Sequence, residues 1–155
     1  MTTQPTTDDI QSILDAHATR EGPLLPILHA FMEAWDHIPE AALAPTAKSL
    51  RITEAELHGV ISFYHDFRSS PGGTHRLKIC RAEACQSMGV DAMSAAVLAK
   101  LGLDWGGTTA DGKLTIEPVY CLGLCACAPA AMLDDRPVGR VDGAKLDALI
   151  AEAQA

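Results

Sequence analysis

Four of the five cysteines in this 155-residue chain form two close pairs, Cys80-Arg-Ala-Glu-Ala-Cys85 and Cys121-Leu-Gly-Leu-Cys125. Thiolates held in short loops are the donor set of a metal–sulfur centre, either an iron–sulfur cluster or a structural zinc. Zinc ribbons usually place both pairs on two-residue knuckles. The intervals here are four and three residues, which favours iron–sulfur over zinc, with disulfides or free core thiols as the remaining readings. No Cys-x-His pair supports a Rieske-type centre, and no Cys-x-x-Cys opens a helix in the manner of a thiol–disulfide enzyme. Cys127, just past the second pair, reads as a small buried residue, with a substitute-ligand role left open.

Both pairs must be positioned by the elements before them. His75 to Cys80 and Lys113 to Val119 alternate apolar and polar residues, as strands do. If the two strands are parallel neighbours, their loops meet at one end of a sheet and ligands distant in sequence converge. Gly123 permits a tight second loop whose amides can approach the sulfurs. Between the strands, Met88 to Leu101 is predicted to be a helix, with Val90, Met93, Val97 and Leu101 inward and Gly102 as its stop. Leu103 to Gly112 reads as a loop. After the second pair come a hairpin, Ala131 to Leu133 and Val138 to Val141 around Asp134–Pro137, and a last helix from Ala144 to Ala153 with Leu146, Leu149 and Ile150 inward.

The first seventy residues read as helices. Thr7 is a candidate cap for a helix carrying Ile10, Ile13 and Leu14. Gly22-Pro23 opens a second, with Leu24, Ile27, Leu28, Phe31 and Trp35 on one face and Pro26 tolerated in the first turn. Ala41 to Leu50 forms a third. Thr53-Glu-Ala-Glu56 is a capping box for a fourth, whose stripe is Leu57, Val60, Ile61 and Tyr64. Ser69-Ser-Pro-Gly-Gly73 reads as a linker or tight loop.

Composition narrows the function. A net charge of −8 argues against a nucleic-acid surface. Lys78, Arg76 and Arg81 are expected to gather near the first pair, where they could offset an anionic centre. Glu83 reads as a solvated loop residue. No apolar stretch is long enough to span a bilayer. The opening residues, Met1 to Ile10, lack the basic and apolar regions of an export signal, so a reducing, cytoplasmic setting is expected. No glycine-rich phosphate loop follows a strand, and no nucleophile–base arrangement is visible, so no catalytic residue is assigned.

Taken together, Cys80-x4-Cys85, Cys121-Leu-Gly-x-Cys125 and Ala128-Pro129 resemble the thioredoxin-like [2Fe–2S] ferredoxin subunits of NADH-linked redox complexes. Leu25-Pro-Ile-Leu28, Ile38-Pro-Glu40, Gly59-Val-Ile-Ser-Phe-Tyr64 and Pro71-Gly-Gly-Thr-His75 extend the resemblance into the helical half. Within the family, Cys80 to Gly89 and Tyr64 to Arg68 are most similar to the gamma subunit of soluble, molybdenum-containing NAD-dependent formate dehydrogenase. The resemblance implies an α/β fold: a helical segment over 1–73, then a thioredoxin-like [2Fe–2S] domain over 74–155. It implies Cys80, Cys85, Cys121 and Cys125 as ligands of a [2Fe–2S] cluster, with Cys127 not needed. The implied partners are a subunit binding FMN and NAD and a molybdenum and iron–sulfur subunit that oxidises formate, with no nucleic acid and no membrane insertion. The same subunit of respiratory complex I or of an NAD-reducing hydrogenase is the first alternative. A zinc-stabilised interaction module is the second.

Overall fold

In the computed structural model, which describes residues 5–155, helix α1 (Thr7–His17) is capped by Thr6 and not by Thr7. The Thr6 hydroxyl accepts from the Asp9 N–H, and the Asp9 carboxylate accepts from the Thr6 N–H at 3.0 Å. That reciprocal pair is a capping box that the residue pattern did not suggest, because Asp stands where Glu or Gln is usual. The expectation that Met1 to Ile10 carries no export signal rests partly on residues 1–4, which lie outside the described residues.

The chain divides into two compact units between Pro71 and Gly72. The first is helical. After α1 come α2 (Leu24–Trp35), α3 (Glu40–Leu50) and α4 (Glu54–Phe63). Their apolar faces close on one core around Ile10, Leu14, Ile27, Leu28, Phe31 and Leu57. Thr53 caps α4 in the expected box, accepting from Glu56 N–H at 3.1 Å while the Glu56 carboxylate accepts from Thr53 N–H at 2.7 Å. Thr53→Ala is expected to lower the stability of this unit by about 1 kcal/mol, read as a shift of the urea midpoint. Tyr64 departs from its predicted stripe. Its ψ of 112° ends the helix, and both Tyr64 and Phe63 are exposed, whereas Phe67 is buried.

The second unit is a four-stranded sheet with its helices. Strand β1 (His75–Cys80) is central and runs parallel to β2 (Leu114–Val119). On its other side it pairs antiparallel with β3 (Ala130–Leu133), which pairs with β4 (Arg136–Gly139), giving the order β2-β1-β3-β4. Parallel neighbours need a crossover, here supplied by α5 (Glu83–Ser87) and α6 (Val90–Leu101). The last helix, α7 (Gly143–Gln154), starts at Asp142, whose carboxylate accepts from Lys145 N–H, and packs on β1, β2 and α6. Leu77, Ile79, Leu114, Ile116, Leu146 and Val90 form the buried centre.

Three readings are corrected here. The helix expected from Met88 to Leu101 begins at Val90, because Gly89 adopts φ 83° as its N-cap, and a separate short helix, Glu83–Ser87, that the residue pattern did not suggest precedes it. The hairpin turn is only Asp134–Asp135, with Asp134 at φ 52° and its backbone N–H donating to Arg76 O at 2.8 Å. Strand β4 therefore starts at Arg136 and includes Pro137, which is tolerated on an edge strand. The loop from Leu103 to Gly112 folds back along β2. Gly106 and Thr109 donate to Ile116 and Leu114, and Ile116 N–H donates to Gly107 O. Gly73 lies so close to β2 that an added Cβ would stand 2.8 Å from the Leu114 nitrogen, and its N–H donates to the Thr115 hydroxyl at 2.7 Å. Among the described residues no helix is long and apolar enough to cross a membrane.

Candidate metal–sulfur centre

Cys80 is the last residue of β1, and its register partner on β2 is Val119, two residues before Cys121. Both cysteine loops thus leave the same end of two parallel strands, the arrangement expected if those strands were parallel neighbours. The Arg81 N–H donates to Val119 O at 2.7 Å, extending the ladder into the first loop. Cys85 lies on α5, a five-residue helix too short to leave a periodic signal in the sequence. The second loop turns through Cys121 at φ 105° and Gly123 at φ 76°, then enters a single 3-10 turn, Cys125–Cys127. A non-glycine residue at such a φ is strained, and strain of this kind collects at functional sites.

The sulfurs lie as two pairs within one another's field. Cys121 Sγ and Cys125 Sγ are 3.8 Å apart, and the Cys80 and Cys85 thiols are hydrogen-bonded to each other. Burial pushes the Cys80 thiol up. It is outweighed by N–H groups of Ala82, Cys121 and Leu122 and by the Cys85 thiol, so Cys80 ends below the ordinary thiol pKa. Two of those three amides belong to the opposite loop. Cys85 is raised by burial and by its bond to Cys80, against an opposing Ala130 N–H. Cys125 is raised by its hydrogen bond with Cys121 and by that neighbour's charge. The Gly123 N–H donates to Cys121 Sγ at 3.3 Å.

These features fit a two-iron cluster. Its thiolates divide two and two, whereas a structural zinc draws four ligands around one point. Backbone N–H groups aimed at sulfur are what a cluster of this class requires of its loops. The site is also asymmetric: Cys80 and Cys85 are buried, Cys121 and Cys125 exposed. Exposed Met88 and Tyr120 flank the two loops. Cys127 is half-buried and packs against β4: its carbonyl accepts from Arg140 N–H, and a Cβ on Gly139 would meet its own Cβ at 2.8 Å.

The basic residues expected near the first pair lie at different distances from it along the chain. Arg76 is four residues back along β1, about 13 Å at strand rise, and pairs with Glu117 at 3.7 Å. Arg81 alone of the three adjoins Cys80 in sequence, and it meets two residues that no motif singles out, Trp105 and Asp91. Nothing in the linear pattern joins a tryptophan in a loop to an arginine 24 positions earlier.

The sequence model of the family described as thioredoxin-like [2Fe-2S] ferredoxin matches residues 10–154. The chain is 28% identical over 149 residues to the NADP-reducing hydrogenase subunit HndA of Solidesulfovibrio fructosivorans, covering 96% of this chain and 87% of that one. It is 30% identical over 137 residues to NADH-quinone oxidoreductase subunit 2 of Thermus thermophilus, covering 88% of this chain and 76% of that one. Among solved structures, an air-oxidized NAD+-reducing [NiFe]-hydrogenase superposes with a TM-score of 0.68 at 31% identity over 84% of this chain. This chain spans 22% of the length of that hydrogenase chain.

Proposed function

Because the chain belongs to the thioredoxin-like [2Fe–2S] ferredoxin family, whose cofactor is a [2Fe–2S] cluster, we propose that it holds that cluster with Cys80, Cys85, Cys121 and Cys125. The observation that carries this reading is the meeting of the two loops at the ends of β1 and β2, with Cys121 Sγ and Cys125 Sγ 3.8 Å apart and the Gly123 N–H donating to Cys121 Sγ. The bound cluster supplies reversible one-electron transfer. The chain's own residues do the rest. The buried pair, Cys80 and Cys85, anchors the centre in the sheet core, and the exposed pair, Cys121 and Cys125, gives a partner's redox group its nearest approach. The donors to Cys80 and Cys121 are in place before the electron arrives, so little rearrangement accompanies transfer.

The relatives are named as subunits of multi-subunit oxidoreductases, which supports a role as an electron-transfer subunit beside a flavoprotein. The finer reading is the gamma subunit of an NAD-dependent formate dehydrogenase. It works beside a subunit that binds FMN and NAD and a molybdenum subunit that oxidises formate, in the cytoplasm. It rests on the residues from Cys80 to Gly89 and Tyr64 to Arg68. The matches to hydrogenase and NADH-quinone oxidoreductase subunits favour the corresponding subunit of those complexes as the second reading. Iron, acid-labile sulfide and EPR on the anaerobic chain test the cofactor. Equal iron and sulfide, with a spin-one-half signal appearing on reduction, are expected; zinc without sulfide would leave only a structural module. Affinity purification from the native host tests the machine. Formate-dependent NAD+ reduction in the eluate is expected, and hydrogen- or quinone-linked activity in its place would select the second reading.

A further inference from the structure

Cys121 and Cys125 are both exposed, and their sulfurs lie 3.8 Å apart. In a disulfide the sulfurs stand at about 2.05 Å, so an approach of less than about 2 Å closes this pair. The loop between them has room to supply it. Gly123 adopts φ 76°, and a Cβ added there would meet nothing within 4 Å. The Gly123 N–H, donating to Cys121 Sγ at 3.3 Å, keeps that sulfur turned toward the loop that carries its partner. The other thiols are placed differently. Cys80 and Cys85 are each 2% exposed, out of reach of a dissolved oxidant. Cys127 is half-buried, with its Cβ against Gly139 and its carbonyl held by the Arg140 N–H.

We propose that Cys121 and Cys125 of the cluster-free chain are a reversible oxidation site, which closes into a disulfide by exchange with a small-molecule disulfide and so gates loading of the centre; the gating rests on the ligand assignment above, the bond itself does not. One cysteine sulfur attacks the small disulfide, breaks its S–S bond, and forms a mixed disulfide with release of one thiol. The second cysteine sulfur displaces the other half as a second thiol. The two cysteine sulfurs are oxidised, the small disulfide is reduced, and the two cysteine protons leave on the two released thiols. Thiolates, not disulfide sulfurs, bind metal, so the closed pair removes two of the four proposed donors. A dithiol reductant reverses the exchange and restores them.

The test treats the full chain, stripped of cluster anaerobically, with oxidised glutathione, then counts thiols by alkylation under denaturing conditions. Two of the five thiols are expected to disappear without any added glutathione mass. Cleavage beside Leu122 and Leu124 followed by mass mapping should show Cys121 joined to Cys125. Cys127→Ser should lose the same two thiols. Iron and sulfide uptake by the oxidised chain should fall by more than about tenfold, since losing groups that only orient ligands already costs that much, and dithiothreitol should restore it. A wild-type chain that keeps all its thiols, or whose bond joins Cys80 to Cys85 or includes Cys127, overturns the proposal. So does uptake by the oxidised chain equal to that of the reduced one. A reduced chain that takes up neither iron nor sulfide overturns the ligand assignment, and the gating with it, whatever the map shows.

Discussion

Cys80→Ser is expected to leave the chain nearly devoid of cluster: iron and sulfide per chain fall together, and the EPR signal on reduction disappears. Partners that merely orient metal ligands are worth about 10–100-fold in metal affinity, and loss of a ligand itself should exceed that. Cys80 is the most exacting of the four positions. It is buried, and the backbone N–H groups of Ala82, Cys121 and Leu122 together with the Cys85 thiol hold its thiol below the ordinary pKa. A serine oxygen is shorter, harder and a poorer partner for iron than thiolate. Those amides, which belong to both loops, would also lose the acceptor that brings them together. Cys127→Ser supplies the contrast. That side chain packs against Gly139, so the variant should keep its full iron, sulfide and EPR inventory. Equal loss in the two variants would mean that Cys127 is a ligand and that the assignment of four is wrong.

Leu77→Ala should have the largest effect of any single change on the stability of the sheet unit. Leu77 is fully buried on the central strand, with Ile116 of β2 opposite it on one side and Leu133 of β3 on the other. Leu→Ala at such a site costs about 2–5 kcal/mol, through lost burial and the cavity left behind. Small domains have only about 5–15 kcal/mol in hand, so the loss is a large fraction of the whole. Urea unfolding of the cluster-free chain should show a midpoint well below wild type with an unchanged slope. The variant should also load less cluster at equal iron, because β1 carries Cys80 at its end and metal binding is coupled to folding. A shift below about 1 kcal/mol would contradict the central, fully packed place of β1.

Much of this protein is legible from residue pattern, where the physics is local. The Thr53 box, the stripes of Ile27, Leu28 and Phe31, and the apolar residues of α7 follow from periodicities of 3.6 and from caps, which act over a few residues. The β1 and β2 alternation, each strand followed by a cysteine loop, carried the idea of converging ligands, and the parallel register agrees with it. Short or irregular features were not legible. The five-residue α5 gives no periodic signal, and Gly89 could equally be read inside a longer helix until its positive φ is seen. The Leu103–Gly112 segment is polar and glycine-rich and reads as a loop, yet it finds hydrogen-bond partners on the open side of β2.

By itself, then, the sequence determined the candidate donors: which side chains could bind metal, in what spacing, and after which strands, because side-chain chemistry and short-range periodicity are properties of residues and their near neighbours. Tertiary structure alone decided the rest of the site. It placed one sulfur pair in the core and the other at the surface, aimed the Cys121 and Leu122 amides at Cys80, and seated Arg81 against Trp105 and Asp91. Each of these depends on how residues far apart in the chain meet, and burial, hydrogen-bond direction and the reach of a charge exist only once they have met.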